Sequence, residues 1–187
     1  MKILLVDNNT EHKSALLDNL AGHKLEIQKY RPGLAFRWQD KDLVILSGGG
    51  GEGQEIADKH NAGKLWYEDE MDFVLTCSKP IIGICMGFEV ICSAYGAKVE
   101  EMPVTLQGYK KYSVTRPGRR MFGGSQISQY EAHKWRVANP PKGFEILAES
   151  QSGIDVIRHS KKPILATQFH PEKSGSLDLK QLLLSAN

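Results

Sequence analysis

Pro80-Ile81-Ile82-Gly83-Ile84-Cys85-Met86-Gly87 is the stretch on which the reading of this chain turns. Its apolar start reads as a strand buried on both faces, and Met86 to Tyr95 reads as an apolar helix ended by Gly96. A strand that passes into a helix through one glycine-flanked residue belongs in a parallel sheet with helices on its faces. The flanking glycines permit a tight, strained backbone that lifts the Cys85 side chain out of the sheet.

The same alternation extends toward the N-terminus. Ile3 to Val6 is a continuous apolar run, and Thr10 is expected to cap a helix through Leu20. Leu25 to Lys29 reads as a second strand, and Leu43 to Leu46 as a third, closed by the glycine run Gly48 to Gly51. A helix is expected over about Lys64 to Leu75. The pattern predicts an α/β fold: a three-layer, flavodoxin-like open sheet, mostly parallel. From Lys98 to about Gln168 mostly short strands are expected, punctuated by turn signals such as Gly123-Gly124 and Asn139-Pro140-Pro141. Ile154 to His159 and Ile164 to Phe169 read as a hairpin pair, and Leu177 to Leu184 as a last amphipathic helix. With no repeat or linker, residues 1–187 are expected to form one domain with antiparallel additions in the C-terminal half.

Composition narrows the function classes. The chain has 187 residues, 41% apolar and 25% charged, which suits a soluble globular protein. A net charge of +2 is too small to argue for nucleic acid or an anionic membrane. No apolar run approaches the ~20 residues of a membrane span, and the start shows no signal-peptide core. Three cysteines, Cys77, Cys85 and Cys92, form neither an even set nor a metal-ligand spacing. Reduced thiols in a cytoplasm are therefore expected, with no metal and no cofactor.

Eighty-five residues after Cys85, another apolar strand ends in His170-Pro171-Glu172. In open parallel sheets ligands bind beyond the carboxyl ends of strands, where Cys85, His170 and the Ser47 to Gly51 loop are all expected. A helix starting at Met86 would aim its dipole at the thiol and favour the thiolate. The residue before a proline is held extended, so Glu172 should lie on the same side as His170 and orient its ring. Cysteine, histidine and glutamate then form an acyl-transfer site. Its oxyanion would be met by the Met86 N–H and by an amide of the glycine loop. The bland alternative, a buried structural cysteine and a surface His-Pro turn, explains either motif alone but not both in this order.

These residues resemble the class I glutamine amidotransferases, a superfamily that also holds the γ-glutamyl hydrolases. The resemblance runs from Ile3-Leu4-Leu5-Val6-Asp7 through Leu46-Ser47-Gly48-Gly49-Gly50-Gly51 and the cysteine turn. It continues in Leu147-Ala148-Glu149-Ser150 and Gln168-Phe169-His170-Pro171-Glu172. It implies attack by Cys85 on a γ-glutamyl amide, with His170 as acid and base and Glu172 as orienter. It implies oxyanion amides at Gly49 and Met86, and substrate contacts at Gly50, Glu89, Lys134 and Trp135. Glutamine is the substrate it favours, and a synthase subunit that receives ammonia is the partner. Two departures stand out. The glycine loop lacks the family's prolines, so its oxyanion amide is expected to be unset. Glu89 stands where many glutamine-using relatives carry glutamine, which leaves a stand-alone γ-glutamyl hydrolase as the alternative.

Two further patterns point elsewhere. Gly48 to Gly53 satisfies G-x-G-x-x-G, but it follows the wrong strand for a dinucleotide site. The N-terminal half resembles a phospho-receiver domain, yet Ser47 stands where the acceptor aspartate belongs. Lys110, Lys111, Arg116, Arg119 and Arg120 concentrate positive charge, either as a solvated rim or as a docking face.

Overall fold

The computed structural model describes residues 1–49, 67–173 and 175–185. Nine strands share one sheet: β1 (Lys2–Asp7), β2 (Lys24–Lys29), β3 (Leu43–Leu46), β4 (Ile81–Ile84), β5 (Val99–Val114), β6 (Gln126–Val137), β7 (Phe144–Ser150), β8 (Gly153–His159) and β9 (Ile164–Thr167). Among the described residues five α-helices accompany them: α1 (Lys13–Asn19), α2 (Glu68–Thr76), α3 (Met86–Ala94), α4 (Arg119–Phe122) and α5 (Leu179–Ser185).

The strand order is β2-β1-β3-β4-β9-β8-β7-β5-β6. From β2 to β9 every pairing is parallel, and from β9 to β6 every pairing is antiparallel. Alternation along the strands divides the core in two. Ile3, Leu5, Ile45, Ile82 and Ile84 face one way, with Leu16 and Leu20 of the α1 region and Leu182 of α5. Leu4, Val6, Val44, Leu46 and Ile81 face the other way, against Phe73 and Val74 of α2 and Phe88 and Ile91 of α3. Strands β1, β3 and β4 are thus buried on both faces, which is why their sequences are unbroken apolar runs. The expected flavodoxin-like α/β architecture with antiparallel additions is what the chain adopts.

Two local expectations are corrected, and a third falls partly outside the described residues. Helix α1 starts at Lys13, with His12 and not Thr10 at its cap. The Asp7 carboxylate accepts the backbone N–H groups of Asn9 and Thr10, a local turn that delays the helix. In the second half β5 and β6 are long, 16 and 12 residues, because they pair chiefly with each other as an extended hairpin arm. The expected helix from Lys64 begins at Glu68; its first positions, 64–66, lie outside the described residues.

Candidate active site

Strands β4 and β9 are parallel neighbours, with Ile84 opposite Thr167. Cys85 continues the ladder, its N–H donating to the Thr167 carbonyl at 2.8 Å. Cys85 and His170 therefore leave the sheet from adjacent strands at the same end. The Cys85 backbone lies at φ 50° and ψ −104°, a conformation a side-chain-bearing residue adopts at a cost of ~1–3 kcal/mol. Gly83 and Gly87 are not in the left-handed region, so the strain expected of them sits on the cysteine itself. What they supply is room. A Cβ on Gly87 would run into the Leu46 carbonyl oxygen, and one on Gly83 would stand 2.6 Å from Ile91 Cδ1.

His170 is fixed from two sides. Its N–H donates to the Tyr130 carbonyl of β6 at 2.8 Å, and its Nδ1 lies 2.8 Å from Glu172 Oε1. Both side chains are buried. The pairing expected from an extended chain is instead made by a 3-10 turn over Pro171–Lys173, closed by Lys173 N–H donating to the His170 carbonyl at 3.1 Å. The Glu172 carbonyl accepts Asn19 Nδ2 at 3.2 Å, which ties this turn to the end of α1. His12 meets the His170 ring edge-on with centroids 4.5 Å apart, a neighbour with no sequence signal.

The electrostatics follow from this packing. Burial works to lower the His170 pKa, but the Cys85 sulfur and the Glu172 carboxylate outweigh it and hold the pKa well above the ordinary value. Burial pushes the Cys85 thiol up; His170 opposes that push, while Glu89 and Glu172 add to it. The sulfur and the imidazole thus titrate as a pair.

The loop after β3 closes the third side. Gly48 lies against both groups, since a Cβ built there would be 3.0 Å from His170 Cε1 and 3.5 Å from Cys85 Cβ. Gly49 follows it directly; Gly50, and with it most of the G-x-G-x-x-G stretch, lies outside the described residues. Met86 opens α3 immediately after the cysteine. Glu89, one turn into α3, is half-buried, and its Oε1 accepts Gln168 Nε2 at 2.8 Å.

β6 forms the wall opposite the elbow. The Ala132 carbonyl lies 3.8 Å from Cys85 Sγ. Lys134 is exposed and its Nζ pairs with Glu101 Oε1 at 2.6 Å. The Trp135 ring is exposed, and its carbonyl lies 2.6 Å from His133 Nδ1. Burial works to lower the His133 pKa, but the bonds to Glu131 and to the Trp135 carbonyl prevail and raise it. As a donor, His133 thus clamps the strand from below. The five basic residues singled out in the sequence are all exposed. Arg120 lines a surface hollow with Arg158, Lys162 and Ile164, at the amino end of β9 and so at the opposite pole from Cys85. Among the described residues no group of three or more histidine, cysteine or acidic side chains could hold a metal ion, and no helix is long and apolar enough to cross a membrane.

Comparison with known proteins identifies the family. Residues 4–185 match the family model of class-I glutamine amidotransferases. A glutamine-hydrolyzing GMP synthase subunit from Thermoplasma acidophilum is 36% identical over 135 residues, which cover 70% of this chain and 63% of the relative. An aminodeoxychorismate synthase from Streptomyces griseus is 29% identical over 194 residues, covering 98% of this chain but 25% of that much longer protein. A solved structure of a candidate GMP synthase subunit from T. acidophilum superposes with a TM-score of 0.81 at 26% identity, covering 100% of this chain and 92% of that one. With its match running almost from end to end, the chain belongs to the class I glutamine amidotransferases and is an enzyme of that hydrolase type.

Proposed function

We propose that this domain hydrolyses glutamine through a γ-glutamyl thioester on Cys85 and passes the ammonia to a synthase partner. The observation that carries the reading is the pairing of a strained Cys85 elbow with a buried His170–Glu172 couple on the adjacent strand. Cys85 Sγ attacks the amide carbon, and its proton goes to His170. The oxyanion that forms is met by the N–H groups of Gly49 and Met86. Collapse expels ammonia, which takes its proton from His170. A water then attacks the thioester with His170 as base, releasing glutamate and restoring the thiol. Glu172 holds the imidazole in the tautomer this needs and stabilises its charged form. The backbones of Lys134 and Trp135, with Gly50 and Glu89, would hold the substrate. Three free, buried cysteines fit a reducing cytoplasm, and residues 1–187 are read as one domain.

Relatives named as synthases and synthase subunits favour glutamine and a synthase partner over a stand-alone γ-glutamyl hydrolase. Incubation with an electrophilic glutamine analogue followed by intact-mass measurement tests the chemistry. One adduct is expected, absent in Cys85→Ser. No adduct, or one that persists in Cys85→Ser, sinks the cysteine mechanism.

A further inference from the structure

The glycine loop lacks prolines, yet its first peptide is held by a buried polar network. Ser47 is fully buried between the ends of β1 and β4. Its hydroxyl accepts the Asn8 backbone N–H at 2.8 Å and lies 2.8 Å from the Gly48 carbonyl oxygen. The hydroxyl has one proton. An N–H can only donate, so that proton goes to the Gly48 carbonyl and the orientation has no second solution. The Ser47 carbonyl in turn accepts Gly87 N–H at 3.2 Å and Asn8 Nδ2 at 3.3 Å. Asn8 Nδ2 reaches on to Glu70 Oε1 at 3.0 Å. One residue thus ties the end of β1, the start of α2 and the cysteine elbow to a single serine.

Strand order gives this network a direction. β3 lies between β1 and β4, so Asn8 stands on one side of Ser47 and Cys85 on the other. The Gly48 carbonyl is turned to the hydroxyl that Asn8 engages. In a trans peptide the N–H points opposite to the C=O. The Gly49 N–H therefore points away from the Ser47 hydroxyl, on a loop whose Gly48 borders His170 and Cys85.

We propose that Ser47 and Asn8 are positioning residues that preset the Gly48–Gly49 peptide, holding the Gly49 N–H toward Cys85 before substrate arrives. The proposal rests on the glutaminase reading, with Gly49 as an oxyanion donor. It replaces the expectation that a loop without prolines leaves this amide unset.

The test separates oxyanion stabilisation from thiol reactivity. Glutamine hydrolysis builds an oxyanion, whereas alkylation of Cys85 by iodoacetamide does not. Steady-state kinetics with glutamine and alkylation rates are measured for the wild-type protein, Ser47→Ala, Ser47→Thr and Asn8→Ala. Ser47→Ala is expected to lower kcat about 10- to 100-fold, less than outright loss of an oxyanion donor. KM and the alkylation rate should stay within about twofold, since neither uses this N–H. Ser47→Thr, which keeps the hydroxyl, should restore most of kcat. Asn8→Ala, which keeps the backbone N–H on the Ser47 hydroxyl and removes only the side-chain donor to the Ser47 carbonyl, should show the same split at about 3- to 10-fold, and it carries the test if Ser47→Ala does not fold. An unchanged kcat overturns the proposal, and so does a parallel fall in kcat and alkylation, which would mean the elbow itself had moved. A wild-type protein that neither hydrolyses glutamine nor takes the analogue overturns the glutaminase reading and the proposal with it. Wild-type turnover matched by Ser47→Ala overturns the positioning role alone.

Discussion

Glu70→Gln is expected to stabilise the protein, by an amount that grows as pH rises. Glu70 is fully buried in the first turn of α2, and burial pushes its carboxyl from an ordinary 4.5 up to about 8. The Asn8 amide, whose Nδ2 donates to Oε1, opposes that push without cancelling it. Between these two pH values the folded protein keeps a proton that the unfolded chain has released. Stability is therefore full below about pH 4.5, falls as pH climbs toward 8, and levels off above it. At about 1.4 kcal/mol per pH unit, the whole interval is worth roughly 4–5 kcal/mol. Glutamine matches the protonated carboxyl in shape and keeps the acceptor for Asn8, but it has no proton to lose. Urea denaturation of both proteins at pH 5, 6, 7, 8 and 9 gives the difference in stability, from which groups that titrate alike cancel. The variant should gain about 1.4 kcal/mol per unit between pH 5 and 8, then no more. A difference that stays flat across this range refutes the reasoning.

Other perturbations probe the elbow and the couple behind it. Gly87→Ala drives a methyl against the Leu46 carbonyl and should cost about 1–3 kcal/mol in urea melts, with turnover falling because the elbow must shift; a neutral variant would mean the packing is looser than described. Glu172→Gln, which leaves the ring in place but removes the charge behind it, should lower kcat by about 10²- to 10⁴-fold with KM little changed. Glu89→Gln removes a carboxylate that holds the Cys85 thiol up, so iodoacetamide alkylation at pH 7 should quicken about two- to fivefold. An unchanged alkylation rate would show that Glu89 does not act on the sulfur.

Much of the core was legible because burial on both faces leaves no choice of residue. Ile3 to Val6, Leu43 to Leu46 and Ile81 to Ile84 announce themselves as strands for that reason. Cys85 and His170 were legible because each closes such a strand. β5 was not. It exposes Val104 and Tyr109 and lacks a consistent apolar face, so its periodicity is too weak to mark 16 residues as one strand. Glu70 was hidden for a different reason. In Glu68-Asp69-Glu70 it looks like an exposed acid complementing a helix dipole, and only its packing against Asn8, 62 positions away, reveals a buried group. Ser47 was noticed as the start of the glycine loop and as the absence of a phosphate acceptor, but its hydrogen bonds were not, because the direction of a hydroxyl proton is a property of its neighbours in space.

The β4–β9 ladder has a consequence for how this site can change. Cys85 and His170 are carried by two strands whose alignment moves only in whole residues, each step worth about 3.3 Å and a flip of every side chain to the other face. Their separation is therefore quantised. Substitutions around the rim can drift by degrees and retune what enters or who receives the product. The distance between sulfur and imidazole rests on that register, so under the proposed mechanism a slip of one residue would cost the reaction at one stroke.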